Sequence, residues 1–272
     1  MNLMAASWLA SYPKSGNTWV RMLLTAYHLG ALDINSNATF SQHDTNVYLY
    51  NVVSPTILTN LEPEQVLYLR NAVLMHIASS AKYNPNVVKT HCANIRVDGV
   101  ELIPAKLSSQ SVYIVRDPRD VAVSFAKHTG GDVETTIANM NIKENLLRNI
   151  GSPVVSWLST WSNNVKSWDV KGCTRIKYED MKEDTYAQFV RIIEGFGMPF
   201  DEGRARKAVE LCELDRLKKQ EEKNGFIENG NQDKFFGQGK GWQNELTENQ
   251  VRKIEIDHGE MMESLGYKLE YL

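Results

Sequence analysis

The chain has little cysteine and little excess charge of either sign. Its three cysteines, Cys92, Cys173 and Cys212, lie far apart and form no C-x-x-C pair. That spacing excludes an obvious zinc site or disulfide framework and fits a reducing, cytoplasmic setting. A net charge of −3 over 272 residues gives no general attraction for polyanions, so any basic site must be local. Nucleic acid is therefore not expected as a partner, and long sulfated glycans are disfavoured. No apolar run reaches the roughly 18 residues that a membrane span needs. Met1 to Ala10 lacks the basic residues of a secretory leader and reads as the approach to a first strand. Repeats, low-complexity tracts and a convincing domain boundary are missing too, so residues 1–272 are expected to form a single domain.

What is present is material for a core, 42% hydrophobic against 23% charged residues. Short β-type runs alternate with helical stretches. Ser7–Tyr12, Asn86–His91, Ser111–Arg116 and Thr174–Glu179 read as strands. Helix candidates follow the first strand and also cover Leu61–Ser80, Pro118–Lys127, Val154–Trp168 and Met181–Glu194. A last helix starts at the capping-box sequence Thr247-Glu-Asn-Gln250. The alternation predicts an α/β fold with a central, mostly parallel sheet flanked by helices. Lys218–Gly241, charged, glycine-rich and aperiodic, reads as a long functional loop carrying Phe226, Phe235 and Phe236.

Chemistry gathers at the strand ends. "SWLASYPKSGNTWVRMLL" is a strand, a tight turn and a helix, yet its lysine precedes the glycine, unlike the phosphate loop G-x-x-x-x-G-K-S/T. Backbone N–H groups at such a helix start converge on one spot and suit an anion. Gly16 allows close approach, Lys14 brings charge, and Ser15 and Thr18 bring hydroxyls. The plain alternative is a strand–turn–helix with a surface lysine. "VYIVRDPRDVAVSF" delivers Arg116 at a strand end, with Pro118 opening a helix that carries Ser124. Those two could grip a second phosphate; alternatively Arg116 pairs with Asp120 as a helix cap. In "VVKTH", Lys89 and His91 share one face, as residues two apart on a strand do. An imidazole beside an ammonium can take a proton while negative charge is steadied. His28, His43, His76, His128 and His258 are read as structural.

Together "SYPKSGNTW", "VVKTH", "VRDPRDVAVS" and "YEDM" resemble, in order and approximate spacing, the cytosolic-type sulfotransferases. "TWSNNVKSW" resembles that family's W-x-x-x-V-K-x-W helix, with Asn164 where a histidine is common. The resemblance runs from about Ser7 to Trp242. It implies a P-loop-like sulfotransferase fold and 3′-phosphoadenosine 5′-phosphosulfate as sulfuryl donor, with no metal. It further implies that Lys14, Ser15, Gly16, Asn17 and Thr18 cradle the donor's 5′-phosphate and that Lys14 also steadies the leaving oxygen. Trp19 would pack on adenine, Tyr178 would meet its edge, and Arg116 and Ser124 would hold the 3′-phosphate. His91 would be the general base and Lys89 a stabiliser of the transferring group. Trp19 and Tyr178 read equally as core aromatics.

The departures from that pattern are local. The family's R-K-G-x-x-G-x-W becomes "KFFGQGKGW", without the arginine. Gly239 and Lys240 are the preferred substitutes in the 3′-phosphate corner, and Lys234 the second. Leu214 falls where a second adenine-stacking phenylalanine is usual. The acceptor is expected to be a small molecule with a hydroxyl or amine, apolar or aromatic, met by Ala31–Pro55, Thr129–Asn149 and a phenylalanine lid. The rival readings are a P-loop phosphotransferase and a non-catalytic nucleotide binder. The first would want an acidic strand end in place of Lys89, His91 and Arg116; the second has no use for His91 beside Lys89.

Overall fold

The structure, a computed structural model, describes residues 3–35, 40–148, 151–229, 234–236 and 241–272. The first strand, β1 (Ala6–Ser11), is buried along its whole length and leads through a tight turn into α1 (Asn17–Leu29). Next come β2 (Gln42–His43), α2 (Val47–Val53), α3 (Pro63–Leu67) and α4 (Arg70–Ser79). They precede β3 (Asn86–Thr90) and the small hairpin β4 (Arg96–Val97) and β5 (Val100–Glu101). β6 (Ser108–Val115) is followed by α5 (Pro118–Thr129) and α6 (Val133–Met140). A second hairpin, β7 (Leu146–Arg148) and β8 (Val155–Trp157), leads to α7 (Trp161–Ser167) and β9 (Cys173–Lys177). The helices α8 (Tyr178–Glu183), α9 (Thr185–Gly195), α10 (Glu202–Leu211), α11 (Leu214–Asn224) and α12 (Glu248–Ser264) complete the order.

The main sheet runs β2-β3-β1-β6-β9, and every pairing in it is parallel. Side chains alternate across its plane. Trp8, Ala10 and Tyr12 enter one core with Val88, Tyr113 and Val115, while Leu9 enters the other with Val87, Val112 and Ile114. Two buried faces require helices on both sides, which is why the strands read as apolar runs. From β1 the chain goes to β3 on one side, then crosses to β6 on the other. That reversal opens a crevice at the carboxyl ends of β1 and β6, where ligands of open α/β sheets collect.

Several expected elements differ in extent. The Val154–Trp168 helix is instead strand β8, a turn and the short α7. Ser159 at φ +59° breaks the run, and Thr160 then caps α7 by accepting the Asn163 N–H. Leu61–Ser80 divides into α3 and α4. Met181–Glu194 divides at Asp184, which caps α9 through the Ala187 N–H. β9 stops at Lys177, so Tyr178 opens a helix and does not extend the strand. The expected Lys218–Gly241 loop begins inside a helix: α11 runs on to Asn224, with Leu217 and Glu221 on its buried side. Few apolar residues mark that helix, so its periodicity is faint.

Candidate active site

At the end of β3, Lys89 lies on the face of Val87, and His91 follows just past the strand. His91 Nδ1 is 2.8 Å from the Ser11 carbonyl oxygen. A carbonyl only accepts, so Nδ1 carries the proton and Nε2 keeps its lone pair. Burial, and then the charge of Lys89, hold this imidazole well below its ordinary range, so the ring is neutral at pH 7. Behind it, fully buried Asn164 donates from Nδ2 to the carbonyls of His91 at 3.1 Å and Leu158 at 2.8 Å. Its Oδ1 accepts from the Tyr113 hydroxyl at 2.8 Å. Ring and backbone of His91 are thus both fixed. Lys89 is drawn down to about 8, first by burial and then by Arg21.

The turn after β1 is built for close approach. Gly16 sits at φ +102°, and a Cβ there would lie 2.6 Å from Tyr178 Cδ2. Lys14 itself has φ +63°, backbone strain of the kind stored at functional sites. No side chain caps the start of α1, which leaves its first N–H groups open to an anion. Ser15 is buried and its hydroxyl has no hydrogen-bond partner among the described residues. The Lys14 ammonium stands 4.4 Å from the Phe235 ring centroid and is pushed down to about 8 by burial and then by Arg116. Asn17, by contrast, turns its side chain back to the Leu9 carbonyl at 3.1 Å and Ser11 Oγ at 3.3 Å. Its side chain therefore braces the loop from behind, and only its backbone faces the helix start.

Arg116, just past β6, donates from Nη1 to the Lys14 carbonyl at 3.0 Å and lies 4.5 Å from the Tyr178 ring centroid. Its Nε is buried and has no hydrogen-bond partner among the described residues. Tyr178 also meets Trp19 edge-on at 6.0 Å, and the Trp19 indole N–H donates to the Cys212 carbonyl. Leu214, the first residue of α11, packs on the same core as Trp19. Trp19 and Tyr178 each pack against their neighbours, and Tyr178 also stands against the turn at Gly16. Orphaned Ser15 Oγ and Arg116 Nε, an uncapped helix start and two crowded lysines make a donor set that fits a bound phosphate group.

Other expected residues fall differently. Asp120 does not pair with Arg116; its carboxylate takes the Trp242 N–H at 3.1 Å, while Asp117 caps α5 and pairs with Arg119. Ser124 is half-buried on α5. Lys234 bonds Glu222 at 2.7 Å on the exposed side of α11. Gly239 and Lys240 lie outside the described residues. The phenylalanines pack on one another with centroids 4.8–5.1 Å apart, and Phe226 and Phe236 are buried in the core. They anchor the segment inward, and Phe235 alone of the three reaches Lys14. His258 is a core histidine, 2.9 Å from Ser162 Oγ.

Three residues escaped sequence reasoning. Arg21, fully buried on α1, and Glu228, after α11, meet beside Thr18. His43 pairs in register with Lys89, and burial and Lys89 push its imidazole far down. A lone arginine within the apolar stretch of α1 was the one available signal, because buried arginines demand a partner. Among the described residues no His, Cys, Asp and Glu group has the arrangement of a metal site, and no helix is long and apolar enough to cross a membrane.

Comparison with known proteins shows the family and the fold. Residues 5–266 match the sulfotransferase domain family. Cytosolic sulfotransferase 8 of Arabidopsis thaliana is 27% identical over 96% of this chain and 78% of its own. Flavonol 3-sulfotransferase of Flaveria bidentis is 25% identical over 96% and 83%. Retinol dehydratase in complex with retinol and PAP superposes with a TM-score of 0.63 at 19% identity, covering 99% of this chain and 84% of that one. A mouse sulfotransferase complexed with PAP gives 0.59 at 16%, covering 95% and 85%. At those identities the structures bear on the fold alone, whereas the match across nearly the whole chain decides the family. This chain belongs to the sulfotransferase domain family and is a sulfotransferase enzyme.

Proposed function

We propose that the enzyme, as one domain over residues 1–272, moves a sulfuryl group from 3′-phosphoadenosine 5′-phosphosulfate to a hydroxyl or amine of a small acceptor. The observation that carries this reading is His91. Its Nδ1 proton is committed to the Ser11 carbonyl, and its Nε2 keeps a lone pair with no hydrogen bond to a described residue, under the charge of Lys89. When bound, the donor supplies the sulfuryl group. His91 Nε2 takes the acceptor's proton, a service typically worth about 10²–10⁴-fold. Lys14 and Lys89 place positive charge where negative charge develops, in a partly buried site where it counts for more than in water.

Ser15, Gly16, Thr18 and the open N–H groups of α1 take the 5′-phosphate, Arg116 and Ser124 the 3′-phosphate, and Trp19, Tyr178 and Leu214 the adenine. Gly239 and Lys240 are assigned to finish the 3′-phosphate corner. An apolar alcohol is the acceptor class we favour. Retinol dehydratase was solved with androsterone and with retinol, and a flavonol is named for one relative. The cytosolic relatives and three unpaired cysteines support a cytoplasmic site of action.

The test is calorimetric binding of 3′-phosphoadenosine 5′-phosphate (PAP) to the wild type, Arg116→Ala and His91→Ala. Wild type and His91→Ala are expected to bind, and Arg116→Ala to lose affinity. If the wild type fails to bind, the assignment of the donor site is wrong.

A further inference from the structure

Arg21 sits within α1 with none of its surface exposed. It donates from Nη1 at 3.0 Å and Nη2 at 2.9 Å to the two oxygens of Glu228, and from Nε at 3.2 Å to Ser41 Oγ. Thr18 Oγ1 adds a third hydrogen bond to Glu228, at 3.2 Å to Oε2. A two-pronged arginine–carboxylate pair is among the stronger polar contacts, and a buried guanidinium left without its anion is costly. The partners lie 207 residues apart, so this contact ties the segment after α11 directly to α1, the helix that opens from the loop after β1. Phe226, two residues before Glu228, is buried, and Phe235 beyond it covers Lys14.

We infer that Glu228 is a positioning residue that latches the Phe226–Asn229 turn onto the donor loop through Arg21 and Thr18, and that its carboxylate balances the cations of the reacting centre. The inference rests on the donor-site reading above. Thr18 has one hydroxyl proton. A phosphate bound at the loop accepts the hydrogen bond of that hydroxyl in place of Glu228, while both Glu228 oxygens keep their hold on Arg21. The latch therefore survives filling of the site.

The surrounding charges give Glu228 its leverage. Lys14 faces Arg116 and Lys89, which repel it, and Glu228, which attracts it; His91 and His128, both pushed toward their neutral forms, face it as well. Lys89 faces Arg21, Glu228 and Asp44, with His43 and His91 alongside. Burial brings each lysine down to about 8, and Glu228 opposes a further fall.

PAP affinity should fall as pH rises and Lys14 loses its proton, since the charged lysine is the form that meets phosphate. In Glu228→Gln the midpoint of that fall moves down by about one pH unit, the size expected for removing an opposite charge nearby. A merely structural role lowers the plateau and leaves the midpoint where it was. Because Glu228→Gln strands a buried arginine, the double variant Arg21→Met/Glu228→Gln is measured beside it and should keep the lower midpoint. Both variants should also be cut faster by trypsin after Lys223. If wild type binds PAP and both variants share its midpoint, the latch inference is overturned while the donor reading stands. If wild type binds at no pH, the donor reading fails and the inference falls with it.

Discussion

Replacing Gly16 with alanine tests the turn between β1 and α1 at its tightest point. Two costs are separable. An alanine at φ +102° carries left-handed strain of roughly 1–3 kcal/mol. Its Cβ would also stand 2.6 Å from Tyr178 Cδ2, a contact that forces movement. The ring has little room to yield, because the Arg116 guanidinium lies 4.5 Å from its centroid and Trp19 abuts it. Overpacking of that kind costs typically about 1–3 kcal/mol. The sum is roughly 2–6 kcal/mol, a large share of a normal folding free energy. Urea unfolding of Gly16→Ala, Tyr178→Ala and the double variant separates the parts. In the Tyr178→Ala background the clash is gone, and the added loss should shrink to the strain alone, about 1–3 kcal/mol. An equal loss in both backgrounds would refute the steric argument; a total under about 1 kcal/mol would refute the strain as well.

Two further outcomes follow from the buried polar groups. Asn164→Ala should cost roughly 3–6 kcal/mol in urea unfolding, because it strands the His91 and Leu158 carbonyls and the Tyr113 hydroxyl in the core. A loss near zero would mean that these groups find other partners. Burial holds His258 at about 4, so the unfolded chain takes up a proton near pH 6.5 that the folded chain refuses until lower pH. Stability should therefore fall as pH falls through that window, by about 1.4 kcal/mol per pH unit from this group. His258→Leu should be shallower by that slope, and an unchanged slope would contradict the assignment.

Much of the fold was legible because strand stretches buried on both faces are largely apolar. The strands expected at Ser7–Tyr12 and Ser111–Arg116 match β1 and the buried part of β6 for that reason, whereas the polar, exposed start of β6 at Ser108–Gln110 gave no such signal. Lys14, Lys89, His91 and Arg116 were readable as polar interruptions at the ends of apolar runs. Glu228 was not, since it lies in a charged stretch where one more carboxylate carries no signal, and its partner Thr18 is 210 residues away. Arg21 stood within reach, a charge set in an apolar helix that is buried nearly all round. His43 was hidden by the brevity of β2, whose two residues show no periodicity at all. The helix assigned to Val154–Trp168 failed for a backbone reason, a left-handed Ser159, that side-chain pattern does not encode.

The early lysine of the opening motif also finds a physical account. Lys14 precedes the helix and occupies the turn itself, at φ +63°, so its ammonium reaches across to Phe235 and stands near Arg116. Crowding and burial bring it and Lys89 to about 8, close to the working range of a cell. An arriving anion stabilises the charged form of both lysines, so near that pH its binding is coupled to proton uptake. By the same linkage, loss of a proton weakens the hold on the anion. The chain as a whole carries a charge of −3, so under the proposed donor site the affinity for an anion comes from a few cations collected at the carboxyl ends of β1, β3 and β6. On the inference drawn for Glu228, its carboxylate offsets the mutual repulsion of those cations, which accounts for a carboxylate beside the proposed phosphate loop.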